Sequence, residues 1–178
     1  MDASRLAKRE IELYCKSWGG KGLNWSIAQP GIFMENFDGL QGALAVSVFS
    51  QGLQKGTEML LVASEDIGKV AAGVIQNHER YIHKTVTVAG GSYTMDEVKK
   101  TYKEVMGKNM PAFPAILAWL ALKLSGGVQH VIKDTEAIYQ ARVGGIYPTL
   151  DEEIELAKAA GEMQDFRMWL IKRKEMQS

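Results

Sequence analysis

The sequence predicts an α/β unit with about three short strands, followed by a cap made of helices alone. Three observations carry this expectation. Short alternating or buried apolar runs occupy residues 23–28, 58–63 and 84–89. The second and third of these are each followed by a capped helical pattern, and beyond residue 110 only helical patterns remain. At 178 residues and 46% hydrophobic, the chain can bury one core, or one core with a small appendage.

The opening helix is read from Ala7, Ile11, Tyr14, Cys15 and Trp18, spaced to share one face while Lys8, Arg9, Glu12 and Lys16 take the other. It stops at the glycines of "GGKG", residues 19–22. In "LNWSIAQP" the apolar Leu23, Trp25 and Ile27 alternate with smaller and polar residues, giving a strand that Pro30 closes for want of an amide donor. Residues 39–54 carry Leu40, Leu44 and Val48 at helical intervals. "EMLLVA" is a buried strand, and "SEDIGKVAAGVIQN" a helix with Ser64 expected as its N-cap. "KTVTVAGG" alternates as a strand, and the next helix opens on a Thr94-x-x-Glu97 capping box and ends at Gly107. Further helices are expected over Ala115 to Leu124, over Ile132 to Arg142, after a second box at Thr149-x-x-Glu152, and around Phe166, Trp169 and Leu170. Three short strands leave two open sheet edges, which proteins normally pair, cover or charge.

Most chemistries find no signature. Twenty-one basic and twenty-one acidic residues cancel, so the charge balance points to neither nucleic acid nor an anionic membrane. The most apolar window, Ala115 to Leu124, is half the roughly twenty residues a spanning helix needs. The start of the chain has no apolar signal core, which implies a cytoplasmic or nuclear protein. Cys15, on the helical stripe, is expected as a buried thiol. His78, His83 and His130 lack metal-ligand spacing, and no nucleophile elbow occurs. Neither G-x-G-x-x-G nor G-x-x-x-x-G-K-[ST] is present, so the chain carries no recognisable loop for a pyrophosphate.

Three successive stretches, "AKREIELYCKSWGGKGLNWSIAQPGIFMENF", "VASEDIGKVAAGVI" and "KTVTVAGGSYTMDEVKKTYKEVMGK", resemble the NmrA-like family. These are atypical relatives of the short-chain dehydrogenases, named for a fungal regulator of nitrogen metabolite repression. The resemblance implies an incomplete Rossmann-like sheet over residues 1–109, corresponding to the C-terminal half of the domain, and a helical substrate cap over 110–178. In this family the first strand and glycine loop precede the opening helix. Only seven residues precede Lys8 here, against the ~30 of a βαβ unit.

By the same resemblance the cofactor is NAD(P), and the activity that of an oxidoreductase of fungal specialised metabolism. Without the glycine loop the chain is not expected to transfer hydride by itself. Lys8 matches the helix lysine that steadies the nicotinamide ribose; read without the family, it is a surface lysine paired with Glu12. Ser4 stands where typical short-chain dehydrogenases place a tyrosine acid. Pro30, Gly31, Ile32 and Phe33 would form an apolar wall beside the nicotinamide, with Asn36 and Phe113 toward substrate. The residues alone leave open that Glu35 and Asn36 instead cap the helix beginning near Gly39. Gln29 replaces the arginine usual before the proline, and Asp66 and Gly68 match a motif expected to start a helix and allow close packing. Phe113, Trp119 and Tyr147 are candidates for a cleft or for core. The expected partners are a small-molecule substrate, a protein covering the open sheet edge, or a second copy; the alternative to an enzyme is a non-catalytic regulatory module or a piece of a longer protein.

Overall fold

A computed structural model describes residues 3–176. The opening helix α1 spans Ala3–Gly19 and strand β1 spans Ser26–Pro30. A two-residue strand, β2 (Ile32–Phe33), and a 3-10 turn (Met34–Phe37) lead into α2 (Gly39–Gly52). Then come β3 (Glu58–Val62), α3 (Ser64–Gln76), a single turn α4 (His78–Tyr81), β4 (Lys84–Val88), β5 (Gly91–Thr94) and α5 (Met95–Met106). The cap is helical as expected: α6 (Ala115–Leu124), α7 (Gly126–Val143), α8 (Leu150–Ala160) and α9 (Phe166–Glu175).

The three expected strands are β1, β3 and β4, and two short ones join them. The five make two small sheets. β1 runs parallel to β4, with Gln29 opposite Thr87 and Pro30 opposite Val88. In the other sheet β3 lies between β2, parallel to it, and β5, antiparallel. The sheets meet through backbone. Gly31 N–H donates to Val88 O (3.0 Å), and Gly90 N–H donates to Leu61 O (2.8 Å). β5 escaped notice because it is too short for a period, and β2 because a proline and a glycine precede it.

Two cores flank this junction. The larger gathers Met34, Phe37, Phe49, Met59, Val98, Phe166 and Trp169 under α2, α5 and α9. The smaller packs Val62, Val70, Tyr81, Val86, Val88 and Ala157 between α3, α8 and β4. Several local expectations are corrected. Residues 23–25 are not strand; Leu23 and Trp25 instead offer carbonyls to the ring and the amide of His83. Ser64 is the first residue of α3, not its cap, which is Ala63. Thr149 forms no capping box with Glu152; its hydroxyl donates to Glu153 one residue on (3.0 Å). Helix α7 begins six residues earlier than Ile132, where Ser125 caps Val128 N–H. Cys15 is half-buried, because α1 touches the rest of the molecule only sparsely.

The motif around Asp66 divides differently from expectation. Asp66 is fully buried and accepts from Lys69 Nζ (2.6 Å) and from the Gln164 backbone N–H (2.8 Å), tying α3 to the segment before α9. Gly68 faces open space, and the close approach belongs to Gly73, where a Cβ would sit 1.7 Å from Ala160 O. Gly73→Ala is therefore expected to destabilise the fold by about 2 kcal/mol or more, since backbone must move. Gly68→Ala should stabilise it by roughly 0.5–1 kcal/mol, as a relieved helix-interior glycine. Urea denaturation of the two variants reads both signs.

The capping box at Thr94 and Glu97 forms as expected. The Thr94 backbone N–H, then its hydroxyl, hold the Glu97 carboxylate below its usual range. A carboxylate bound more tightly when ionised stabilises the fold above its unfolded value, 4.5, and that contribution disappears as pH falls below it. Thr94→Ala should cost about 1 kcal/mol at pH 7. The stability gap between wild type and Glu97→Ala should narrow below pH 4.5, measured by thermal melts across pH.

Candidate functional site

The carboxyl end of β1 collects most of the residues expected to act. Gly31 lets the chain leave one sheet for the other: a Cβ there would lie 2.5 Å from Leu60 O. The crossing leaves Pro30 and Phe33 exposed and Gly31 and Ile32 half-buried, so an apolar ledge faces solvent at the strand end.

Helix α1 is registered on this strand by one polar clamp. Gln29 Nε2 donates to both oxygens of the Glu12 carboxylate, at 3.1 and 3.2 Å. Glu12 is thereby taken by Gln29, which corrects the surface pair expected between Lys8 and Glu12. Lys8 lies one helical turn before Glu12 and so shares its face of α1. Lys8 is exposed, with no carboxylate paired to it among the described residues. Ser4 falls on α1, but its side chain lies outside the described residues.

The polar pair inside "FMENF" separates. Glu35 does not cap α2; that is done by Asp38, which accepts from Gly39 N–H (3.0 Å). Glu35 instead accepts from the Ser64 N–H (3.0 Å) and hydroxyl (2.8 Å), placing a carboxylate at the positive end of α3. Asn36 is exposed between the buried Met34 and Phe37, and its side chain forms no hydrogen bond within the described residues. Phe113 sits elsewhere: its N–H is held by Ser47 Oγ (2.7 Å) in the middle of α2, so it is fixed to the cap side. Trp119 is half-exposed on α6.

A second polar group beside β1 was not anticipated as a unit. Thr87, register partner of Gln29, donates to Glu153 Oε2 (2.8 Å), which also accepts from the Tyr147 hydroxyl (2.9 Å). Burial first, then the Glu153 carboxylate, pushes the Tyr147 phenol up to about 12. Tyr147 therefore serves as a hydrogen-bond donor and not as a base. Only Tyr147 was singled out in sequence; Glu153 lies in an ordinary acidic first turn, and Thr87 in an ordinary strand. No cluster of metal-ligating side chains occurs among the described residues. No single helix there is long and apolar enough to cross a membrane.

The model of the NmrA-like family matches residues 6–116. The chain belongs to the NmrA-like family. That stretch includes most of α1, both sheets and the Gly31 crossing, and ends as α6 begins. In structure, the chain is similar to a nucleoside-diphosphate-sugar epimerase from Staphylococcus aureus, with a TM-score of 0.54 and 18% identity. The likeness covers 95% of this chain and 56% of the epimerase, so the chain spans little more than half of that protein. This likeness shows an α/β, Rossmann-like fold class for the NmrA-like chain. No curated protein matches it in sequence.

In this NmrA-like chain, the Gln29–Glu12 clamp is the one side-chain hydrogen bond between α1 and β1 among the described residues. Glu12→Ala should release the helix. Tryptic cleavage at Lys8, Arg9 and Lys16 should accelerate several-fold over wild type while the cores stay protected, followed by mass spectrometry. Equal rates would show the clamp holds nothing.

Proposed function

We propose that this NmrA-like chain provides the nicotinamide and substrate side of an NAD(P)-dependent oxidoreductase, and that a glycine-loop-bearing βαβ unit completes it. The observation carrying this reading is the clamp between Gln29 and Glu12, because it lays α1 along β1 with Lys8 on the same helix face as Glu12. In a crossover of this kind the helix runs opposite to the strand, so Lys8 is nearer the strand's carboxyl end, where open α/β sheets bind ligands.

The residues fit part of a dinucleotide. Pro30, Gly31, Ile32 and Phe33 supply an apolar ledge for the nicotinamide ring, Lys8 a cation for the ribose hydroxyls, and Asn36 an amide for substrate. The cofactor would supply hydride transfer. The chain's own residues bind and orient. Nothing in the sequence matches the amide nest that grips a diphosphate, and that grip is assigned to the added unit.

Two features of the fold support a place for that unit beside β1 and α1. β1 pairs with β4 on one side only, and its alternate residues Ser26, Ala28 and Pro30 are exposed. α1 leaves Leu6, Ile11, Leu13, Tyr14 and Trp18 exposed, an apolar surface of the kind that marks an interface. A parallel strand added to β1, with its helix against α1, would cover both. The same surface supports a second reading, a non-catalytic module that docks a protein or a second copy there.

Titration of NADPH and NADH followed by nicotinamide fluorescence separates these. The chain alone should show no saturable binding in the low-micromolar range, and low-micromolar affinity would overturn the division of labour. Once the strand-bearing unit is supplied, in cis or in trans, binding should appear and weaken at least about tenfold in Lys8→Met. A completed protein that still binds neither nucleotide would favour the docking module.

A further inference from the structure

A cavity of about 330 Å³ opens between the start of α2, the end of α5 and the face of α9. None of Lys8, Pro30, Gly31, Ile32, Phe33 or Asn36 lines it. Its floor is made by Phe37, Tyr102, Trp169 and Leu170, each less than one-tenth exposed, and Leu40 stands exposed at the rim. The volume exceeds twice the roughly 150 Å³ that holds a benzene in an engineered cavity, which suits a two-ring system.

The polar lining is unevenly charged. Lys108 and Arg173 stand against one carboxylate, Asp38. Asp38 is engaged by the Arg173 guanidinium, and its other oxygen accepts from Gly39 N–H at the start of α2. Lys108 has no anionic partner among the described residues. Arg173 keeps a buried Nε donor with no hydrogen-bond partner, although the rest of the group lies over the Trp169 ring at 5.5 Å and on Asp38. The amino end of α2, a fourteen-residue helix, adds positive potential at the same mouth.

We propose that this cavity binds a small aromatic carboxylate, its carboxylate between Arg173 and Lys108 and its rings on the Phe37, Tyr102, Trp169 and Leu170 floor. A carboxylate balances the surplus cation by pairing with Lys108 and the solvent-facing part of the Arg173 guanidinium, and a flat ring matches a floor built chiefly from aromatic faces and edges. The 3-10 turn connects the two regions, because Phe37 lines the cavity while Asn36, its neighbour, is exposed on the other site.

The probe is 2-naphthoate, titrated into the chain by calorimetry and by amide and indole chemical shifts, with 2-naphthylmethanol as its uncharged analogue. Saturable binding is expected, with shifts at Leu40, Met106 and the Trp169 indole. Binding of the alcohol should be weaker by at least about tenfold, and Lys108→Met and Arg173→Met should each weaken the acid by at least about fivefold. Lys108→Met alters an exposed side chain and should leave the circular dichroism unchanged, so it tests charge even where Arg173→Met loosens α9. No saturable binding at millimolar acid, equal binding of acid and alcohol, an unaffected Lys108→Met, or shifts confined to other residues would each overturn the proposal.

Discussion

The backbone crossing at Gly31 and Gly90 governs where everything else in this molecule can lie. At Gly31 the chain leaves its pairing with β4 and joins β3, and at Gly90 the return passes against the same strand. Neither position admits a side chain: a Cβ would come 2.5 Å from Leu60 O at the first and 1.9 Å from Gln164 O at the second. Two sheets can therefore share one boundary at hydrogen-bond distance, with the strand ends pinned beside it. Pro30 and Phe33 face solvent because the chain turns there, and Met34 and Phe37 reach the core for the same reason.

That geometry explains the mixture of polar and apolar residues in "FMENF". Met34 and Phe37 fill the larger core, where each fully buried side chain of this size contributes on the order of 1.5–3 kcal/mol. Glu35 is spent on the start of α3, bonding the first amide and hydroxyl of a helix that has no capping side chain of its own. Asn36 alone is left with its amide unclaimed by the fold. A four-residue turn thus serves the core, a neighbouring helix and the solvent-facing ledge at once.

The sparse packing of α1 has the same structural origin as the open edge of β1. β1 pairs with β4 alone among the described residues, while the two cores beneath the other helices are well filled. A helix with an apolar stripe is stabilised mainly by what covers that stripe. In this chain the polar clamp to Gln29 supplies the register while the stripe stays exposed.

Periodicity along the sequence determined the α/β order, the three longer strands, the apolar opening helix and the Thr94 capping box, because each is fixed by residues within one or two turns of one another. The strand-end motif was legible too, since a Pro-Gly pair after an apolar run marks a chain that must change direction. What only the tertiary structure decided were relations between distant segments. β2 and β5 exist because β3 offers them an edge, Glu35 serves α3 across 29 residues, and Gly73, not Gly68, meets another backbone. Thr87, Tyr147 and Glu153 form one hydrogen-bonded group only because α8 lies on β4. Hydrogen bonds and close approaches are set by position in space, and a spacing rule carries no information about which far segment will arrive there.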